Sequence, residues 1–293
     1  MPAHSDYRGR FAPSPTGPLH LGSLVAALAS FLDARRAAGV WLVRMEDLDP
    51  PREEAGAANR ILNSLLRHGL NWDDEVLFQS TRSEAYQDAL RLLDERGLLF
   101  DCDCSRSQLG PAGACGNRCR GQRVQVKPPS ARRVIVPPQT YIAFEDGLQG
   151  LQGEALGATL SDFVVKRRDG LDAYQLAVVV DDAAQRISHV VRGADLLDAT
   201  PRQVYLQQAL AVPTPHYSHV PVITNDAGQK LSKQNRAPAL DDNAAPSNLR
   251  SALRCLGQTE PATDSRDVTA LLEHAVRHWD PARIPAGLAH PSP

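Results

Sequence analysis

Eleven residues, Pro13 to Ser23 (PSPTGPLHLGS), constrain this chain more than any other stretch. Gly9 to Ala12 just before them reads as the end of a short strand. Pro13, Pro15, Gly17 and Pro18 then forbid regular structure. Beyond Gly22 the apolar residues Leu24, Val25, Leu28, Phe31 and Leu32 recur at spacings of three and four, which predicts a helix beginning near His20 to Ser23. A strand, a rigid turn and a helix must therefore follow one another. The first turn of such a helix presents unpaired N–H groups and a partial positive charge, which suit phosphate. His20 adds a hydrogen-bond donor, and Gly22 allows a nucleotide close to the backbone. Taken alone, the segment fits a proline-rich turn before an ordinary helix equally well.

A second short segment, Lys230 to Gln234 (KLSKQ), lies far downstream. Val220 to Thr224 reads as a strand end and Asn225 to Gly228 as a turn. Lys230 and Lys233 follow in a polar loop. Two ammonium groups placed there can neutralise charge on a departing pyrophosphate; by themselves they fit a solvated lysine pair just as well.

Strand and helix patterns alternate through most of the chain. Val40 to Met45 reads as a strand. Pro51 to His68 reads as a helix, with Pro51 in its first turn, Glu53 and Glu54 on its dipole and Gly69 at its end. Thr81-Arg-Ser-Glu84 reads as a capping box for a helix that stops at Gly97. Leu176 to Val180 is a continuous apolar run closed by Asp181 and Asp182, the pattern of a buried parallel strand. Ile187 to Val191 reads as another strand, and Thr200 with Pro201 cap and start a helix to Leu210. This alternation predicts an α/β fold with a Rossmann-type parallel sheet, whose ligands bind at the strand C-terminal ends. His20, Glu46 and the lysine loop all follow strand ends. The expected organisation is a first half of the catalytic domain at residues 1–100, a cysteine-rich insertion at 101–160, the second half with the KLSKQ loop at 161–245, and a short helical tail at 246–293. In the tail, Ser247 to Leu256 and Asp264 to Trp279 carry helical patterns.

Cys102, Cys104, Cys115 and Cys119 fall in one short window of the insertion. Close cysteine pairs on tight turns suit a tetrahedral structural zinc, although these spacings are not the commonest zinc-finger ones. Disulfides and an iron–sulfur cluster are the alternatives, the first disfavoured in a cytosolic enzyme. Cys255 sits in an apolar helical pattern and reads as core. The net charge of −2 argues against unspecific coating of nucleic acid. Basic residues do cluster, at Arg118, Arg120, Arg123, Lys127, Arg132 and Arg133 and at Lys166, Arg167 and Arg168, either as a solvated face or as an RNA surface. No apolar run long enough for a membrane span and no charged-then-apolar N-terminal signal is present, so a cytoplasmic chain is expected.

The two signature segments, in this order, resemble the paired motifs of class I aminoacyl-tRNA synthetases. Arg10-Phe-Ala-Pro-Ser-Pro-Thr-Gly17, Leu19-His-Leu-Gly22 and Leu42-Val-Arg-Met-Glu-Asp47 with Asp49 resemble the glutamyl-tRNA synthetase group. Asp49-Pro-Pro-Arg52, Val178-Val-Val-Asp-Asp182, Arg192-Gly-Ala-Asp195 and Lys230-Leu-Ser-Lys-Gln-Asn235 resemble, within it, the glutamyl-Q tRNA(Asp) synthetases. The likeness runs from about Arg8 to about Gly257. Ser23 stands where the first motif often has a second histidine, and Leu231 and Gln234 replace a methionine and a serine of the lysine loop; both look normal for this subgroup.

The resemblance implies an enzyme that activates L-glutamate with ATP and Mg²⁺ in the absence of tRNA. It then passes glutamate to the queuosine base at the wobble position of tRNA(Asp). By the same resemblance His20, Lys230 and Lys233 are catalytic, His20, Gly22 and Lys233 hold ATP, and Arg10, Ala12, Ser14, Glu46, Tyr174 and Arg192 hold glutamate. The cysteines form a zinc knuckle of which Cys115 takes a place often held by tyrosine. The short remainder after Lys233 leads one to expect no anticodon-binding domain, and a monomer is expected. Glu46 paired with Arg44 or Arg52, and Arg192 paired with Asp195, are the plain structural alternatives. The rival functions are a truncated glutamyl-tRNA synthetase charging the 3′ end of tRNA(Glu), a non-catalytic RNA-binding paralogue, and an adenylating ligase for another amino acid.

Overall fold

The computed structural model describes residues 6–110, 113–115, 118–120, 126–159, 162–225, 228–231, 237–261 and 266–291. The first half runs β1 (Arg8–Phe11), α1 (Leu21–Arg36), β2 (Val40–Met45), α2 (Ala57–Arg67), β3 (Leu77–Phe78) and α3 (Ser83–Glu95). The middle holds β4 (Leu99–Cys102), β5 (Ala131–Val134), β6 (Ile142–Asp146), β7 (Gly150–Glu154), α4 (Leu156–Thr159) and β8 (Phe163–Lys166). Then come α5 (Tyr174–Ala184), β9 (His189–Gly193), α6 (Thr200–Leu210), β10 (His216–Val220) and β11 (Val222–Thr224), and finally α7 (Ala245–Cys255), α8 (Val268–His278) and β12 (Ala289–Pro291).

β1, β2 and β3 pair in parallel, and so do β9, β10 and β6, with β7 antiparallel at the edge. The two sets meet where β1 runs beside β9, joined by Ser188 N–H to the Arg8 carbonyl at 3.0 Å. The layer therefore reads β3-β2-β1-β9-β10-β6-β7. Its strand order reverses between β1 and β9, the topological switch point at which α/β sheets bind ligands. The cysteine window belongs to a separate antiparallel sheet, β4-β5-β8. No helix among the described residues is long and apolar enough to cross a membrane.

Side-chain alternation on the strands assigns the two faces. On β2, Trp41, Val43 and Met45 join the core with α1, α7 and α8, while Leu42 joins the core of α3, α5 and α6. Arg44 shares the Leu42 face and is wholly buried there. Arg10 pairs in register with Leu42 and lies on the same face. Both guanidiniums meet Asp182 of α5: Arg10 Nε donates at 3.1 Å and Arg44 Nη1 at 2.7 Å.

That α5 is a helix corrects the strand expected over Leu176 to Val180. The helix buries Leu176, Ala177, Val178, Val179, Asp181 and Asp182, so it shows no polar face and its sequence imitates a buried strand. The adjacent carboxylates divide the work. Asp181 accepts from Gln79 Nε2 at 2.9 Å, Arg82 Nε at 3.1 Å and Tyr86 Oη at 2.6 Å, tying α5 to α3.

Other boundaries also move. The helix expected over Pro51 to His68 is broken: Pro50–Arg52 form a 3-10 turn and α2 starts only after Gly56, whose φ is 75°. Between them the Glu54 N–H is drawn to the Pro15 carbonyl at 3.0 Å, which lashes this segment to the signature loop. Thr81 does not cap α3; its hydroxyl donates to the Phe78 carbonyl at 2.7 Å. The strand expected over Ile187 to Val191 begins at His189, because the Ile187 N–H is spent closing α5 on the Asp182 carbonyl at 2.8 Å. Thr200 is the first residue of α6 rather than its cap, and its hydroxyl donates to the Leu196 carbonyl at 3.1 Å.

Burial raises the pKa of Asp182, but Arg10 and Arg44 more than offset it and hold the carboxyl below the usual carboxylate range. A folded-state value below the unfolded one, about 3.9, means that this charge stabilises the fold above about pH 4 and that the stabilisation is lost as pH falls through the folded value. Asp182→Asn should therefore cost about 3 kcal/mol in urea unfolding at pH 7, since it leaves two buried guanidiniums uncompensated. Its deficit against wild type should narrow below about pH 4; a deficit that is absent, or the same at pH 3 and pH 7, contradicts this account.

Candidate active site

His20 is the N-cap of α1. Its Nδ1 accepts the Ser23 N–H at 3.2 Å, and the Ser23 hydroxyl accepts the His20 N–H at 3.0 Å. The pair is a capping box built from histidine and serine, a local signal in HLGS that the sequence reading passed over. Because Nδ1 is the acceptor, the neutral ring carries its proton on Nε2 and donates from that edge. Gly22 lies against both signature segments: a Cβ there would sit 3.2 Å from the His20 ring and 3.4 Å from the Leu231 carbonyl oxygen. Leu231 is held beside this helix start by its N–H to the Ile223 carbonyl at 2.7 Å, and Leu240 by its N–H to the Leu19 carbonyl at 2.9 Å.

Lys230 reaches across from the end of β11 to Asp195, with Nζ 2.5 Å from Oδ2. Asp195 is thus a partner of the loop lysine, not of Arg192. Lys233 lies outside the described residues, as does Arg123.

Four of the residues expected to hold glutamate converge. Glu46 follows β2, its N–H bonded to the Pro13 carbonyl at 2.9 Å. Its carboxyl is nearly buried and lies 3.6 Å from Arg44 Nη2, one of the pairings foreseen as a structural alternative. Burial pushes the Glu46 carboxyl upward, opposed by the charges of Arg44, Arg10 and Arg192. Tyr174 opens α5, and its phenol is pushed up by burial against the field of Arg192, with Glu46 and Arg10 also in range. Arg192, on β9 and 5 % exposed, donates from Nε to His219 Nε2 at 3.0 Å and from Nη2 to the Thr200 hydroxyl at 2.8 Å. Its Nη1 is buried with no protein partner among the described residues. Arg10, Glu46, Tyr174 and Arg192 thus form one electrostatic cluster at the reversal of strand order. Ala12 is half-buried beside it, and Ser14 is exposed in the signature loop.

Two supporting pairs, four residues in all, were not assigned to the site from the sequence. Arg44 and Asp182 fix Arg10 and Glu46 from below, and the only hint was the pair of acids ending an apolar run. His219 and Asp146 fix Arg192 from the side, with His219 Nδ1 2.5 Å from Asp146 Oδ2. Nothing local marks that pair, since the two residues lie on strands far apart in the chain.

The thiols of Cys102, Cys104, Cys115 and Cys119 all lie within 4.8 Å of one another. Cys104 Sγ is 3.7 Å from Cys115 Sγ and 3.6 Å from Cys119 Sγ, far beyond a disulfide bond. Four thiolates around a tetrahedral metal at about 2.3 Å stand about 3.8 Å apart, so the set fits a metal of that kind. The Cys119 N–H points to Cys115 Sγ at 3.4 Å and Arg118 Nη1 to Cys104 Sγ at 3.7 Å, donors that suit negatively charged sulfur.

The basic stretches are largely consumed within the protein. Arg120 pairs with Asp162, Arg132 with Asp94, Lys166 with Asp172, and Arg167 with Asp169 and Asp49. Arg133 is buried and donates to the Asp162 carbonyl at 2.7 Å. Charge density in the sequence therefore overstates the cationic surface.

Residues 6–265 match the family of tRNA synthetases class I (E and Q), catalytic domain. The glutamyl-Q tRNA(Asp) synthetase of Pseudomonas fluorescens is 50% identical over 293 residues, covering 98% of this chain and 96% of its own. That of Thiobacillus denitrificans is 52% identical over 299 residues, covering 97% and 98%. Among solved structures, a glutamate tRNA ligase from Elizabethkingia meningosepticum in complex with its amino acid superimposes with a TM-score of 0.82 at 22% identity, over 98% of this chain and 67% of that one, a likeness of fold. With its switch-point cluster, its two signature segments in contact and relatives of this closeness along nearly its whole length, the chain belongs to the glutamyl-Q tRNA(Asp) synthetase family of class I tRNA synthetases.

Proposed function

We propose that this chain is a ligase that activates L-glutamate as glutamyl-adenylate without tRNA and transfers the glutamyl group to the queuosine base at the wobble position of tRNA(Asp). The observation that carries the reading of the pocket is the opposition of one acid, Glu46, to the buried guanidiniums of Arg10 and Arg192 around the Tyr174 phenol. An α-amino acid with an acidic side chain supplies the complementary charges. Its ammonium relieves the cost of burying Glu46, and its side-chain carboxylate takes the unpaired Nη1 of Arg192. Ala12 and Ser14 line the same mouth. The tRNA partner and the modified base are supported by the names of relatives about half identical to this chain.

ATP enters as its Mg²⁺ complex at the start of α1. There the helix N-terminus, the Nε2 edge of His20 and the space beside Gly22 accept the phosphates. A carboxylate oxygen of glutamate attacks the α-phosphorus, the bond to the bridging oxygen of the β-phosphate breaks, and pyrophosphate leaves toward Lys230 and Lys233. The protein holds the reactants in line and stabilises the charge that develops. Lys230, paired to Asp195 in this structure, exchanges that partner for phosphate. In the second step a hydroxyl of the base attacks the glutamyl carbonyl carbon, AMP departs and an ester forms.

In this reading the four cysteines hold one structural zinc, which would fix the turns of the insertion. Purified protein should contain about one zinc per chain, and Cys102→Ser or Cys119→Ser should lower both zinc content and melting temperature. Protein that folds normally with no zinc by elemental analysis contradicts this.

The function is tested with radiolabelled glutamate offered to tRNA(Asp) with and without queuosine and to tRNA(Glu). Label should pass only to the queuosine-containing tRNA(Asp), and ATP–pyrophosphate exchange should require glutamate alone. Label on tRNA(Glu) instead indicates an enzyme charging the 3′ end, and the absence of exchange indicates a non-catalytic RNA binder.

A further inference from the structure

Arg192 is held by neighbours on β10 and α6. Its Nε–H points at His219 Nε2, 3.0 Å away, and its Nη2 donates to Thr200 Oγ1 at 2.8 Å. The Thr200 hydroxyl proton is committed to the Leu196 carbonyl at 3.1 Å, so its oxygen accepts from Arg192. The face of the guanidinium lies over the Tyr217 ring at 5.3 Å. Nη1 alone is left over. The orientation of this donor therefore depends on His219 presenting a lone pair at Nε2, because an arginine cannot accept.

Asp146 makes that possible. Its Oδ2 lies 2.5 Å from His219 Nδ1, which places the ring proton on Nδ1 and leaves Nε2 as acceptor. The other carboxylate oxygen of Asp146 accepts backbone N–H groups from Leu148 at 3.0 Å, Gln149 at 2.9 Å and His219 at 3.1 Å. Asp146 ends β6, His219 sits on β10 and Arg192 on β9, so the relay crosses three neighbouring parallel strands. Asp146, His219 and Arg192 are each nearly or wholly buried. Burial shields these bonds from bulk solvent, and the imidazole is bonded at both ring nitrogens.

We propose that His219 is a positioning residue for glutamate: as the neutral Nδ1–H tautomer fixed by Asp146, it aims the Arg192 guanidinium at the substrate side-chain carboxylate, and a second proton on its ring abolishes that aim. This rests on the assignment of Arg192 to the glutamate pocket. Protonated His219 would set an N–H against the Nε–H of Arg192 and a positive charge against a guanidinium. The groups that face the ring from the packed elements are Asp146 from β6, Arg192 from β9, Arg10 from β1 and the Thr200 hydroxyl from α6. Burial, Arg192 and Arg10 outweigh Asp146 and lower the His219 pKa, so the neutral ring prevails at pH 7 and is lost in acid.

The test is ATP–pyrophosphate exchange by the full chain from pH 5.5 to 8.5, with KM for glutamate and for ATP measured separately. In wild type the glutamate KM should be flat above pH 7 and rise several-fold toward pH 5.5, with the ATP KM constant within twofold. His219→Phe removes the acceptor and should raise the glutamate KM about 10- to 100-fold at every pH, the scale of one hydrogen bond to a charged group. His219→Gln keeps an acceptor and cannot titrate. It should bind glutamate within a few-fold of wild type at pH 7.5 and lose most of the acid-side rise, any remainder belonging to Glu46. In ¹⁵N-histidine spectra of wild type the His219 ring should show Nδ1 protonated, with a titration midpoint matching the break in glutamate KM.

A His219→Gln profile superimposable on wild type, or His219 variants that raise the KM of ATP as much as that of glutamate, overturns the proposal. Arg192→Lys separates it from its premise. If that variant leaves the glutamate KM unchanged, Arg192 is not in the pocket and the premise falls. If Arg192→Lys raises the KM while His219→Gln behaves as wild type at all pH, the pocket assignment stands and only the positioning role falls.

Discussion

Asp182 is the point on which this catalytic core turns. One carboxylate on α5, almost out of reach of water, accepts from Arg10 at the end of β1 and from Arg44 on β2. Two guanidiniums side by side in a core would repel each other; the single buried acid between them offsets that repulsion and accepts from both, with Gln185 Oε1 taking a further bond from Arg44 at 2.9 Å. The consequence reaches the site. Arg44, locked below, stands 3.6 Å from Glu46, and Arg10, locked beside it, keeps its charge in the cluster with Glu46, Tyr174 and Arg192.

A second constraint is the contact between segments remote in the chain. A methyl group at Gly22 would touch the Leu231 carbonyl oxygen at 3.4 Å and press the His20 ring at 3.2 Å, so the start of α1 and Leu231 lie side by side. The backbone bonds at Leu231 and Leu240 hold that arrangement without any side chain. Asp195, four positions beyond the β9 residue Val191 and next to the Arg192 segment, then engages Lys230. Lys230 is thereby registered against the segment that follows β9, the strand that carries Arg192.

The insertion shows how composition misleads when taken without geometry. The basic residues in and just after it look like an RNA surface, yet Arg120, Arg132 and Lys166 are paired with Asp162, Asp94 and Asp172, and Arg167 with Asp169 and Asp49. Such pairing adds to the apolar contacts of Val134, Phe163 and Val165 in holding the small antiparallel sheet against the rest of the fold. The four thiols gather at one end of that sheet, where a metal would supply the cross-link that burial alone does not.

The chain's own order of residues determined the alternation of strands and helices, the strand over Val40 to Met45, the helix start at His20 and the gathering of cysteines, because each of these is written in local spacing, prolines and glycines. Arg10, Glu46, Tyr174 and Arg192, expected together by likeness rather than by pattern, lie within electrostatic range of one another. Only the tertiary structure decided that Leu176 to Val180 is helical, since a helix enclosed on all sides has no polar stripe to betray its period. It alone paired Asp182 with Arg10 and Arg44, Asp146 with His219, and His219 with Arg192. Those bonds join residues far apart along the backbone. Which acid meets which base in a buried site is set by how strands are ordered across the sheet, and no local window of sequence carries that order.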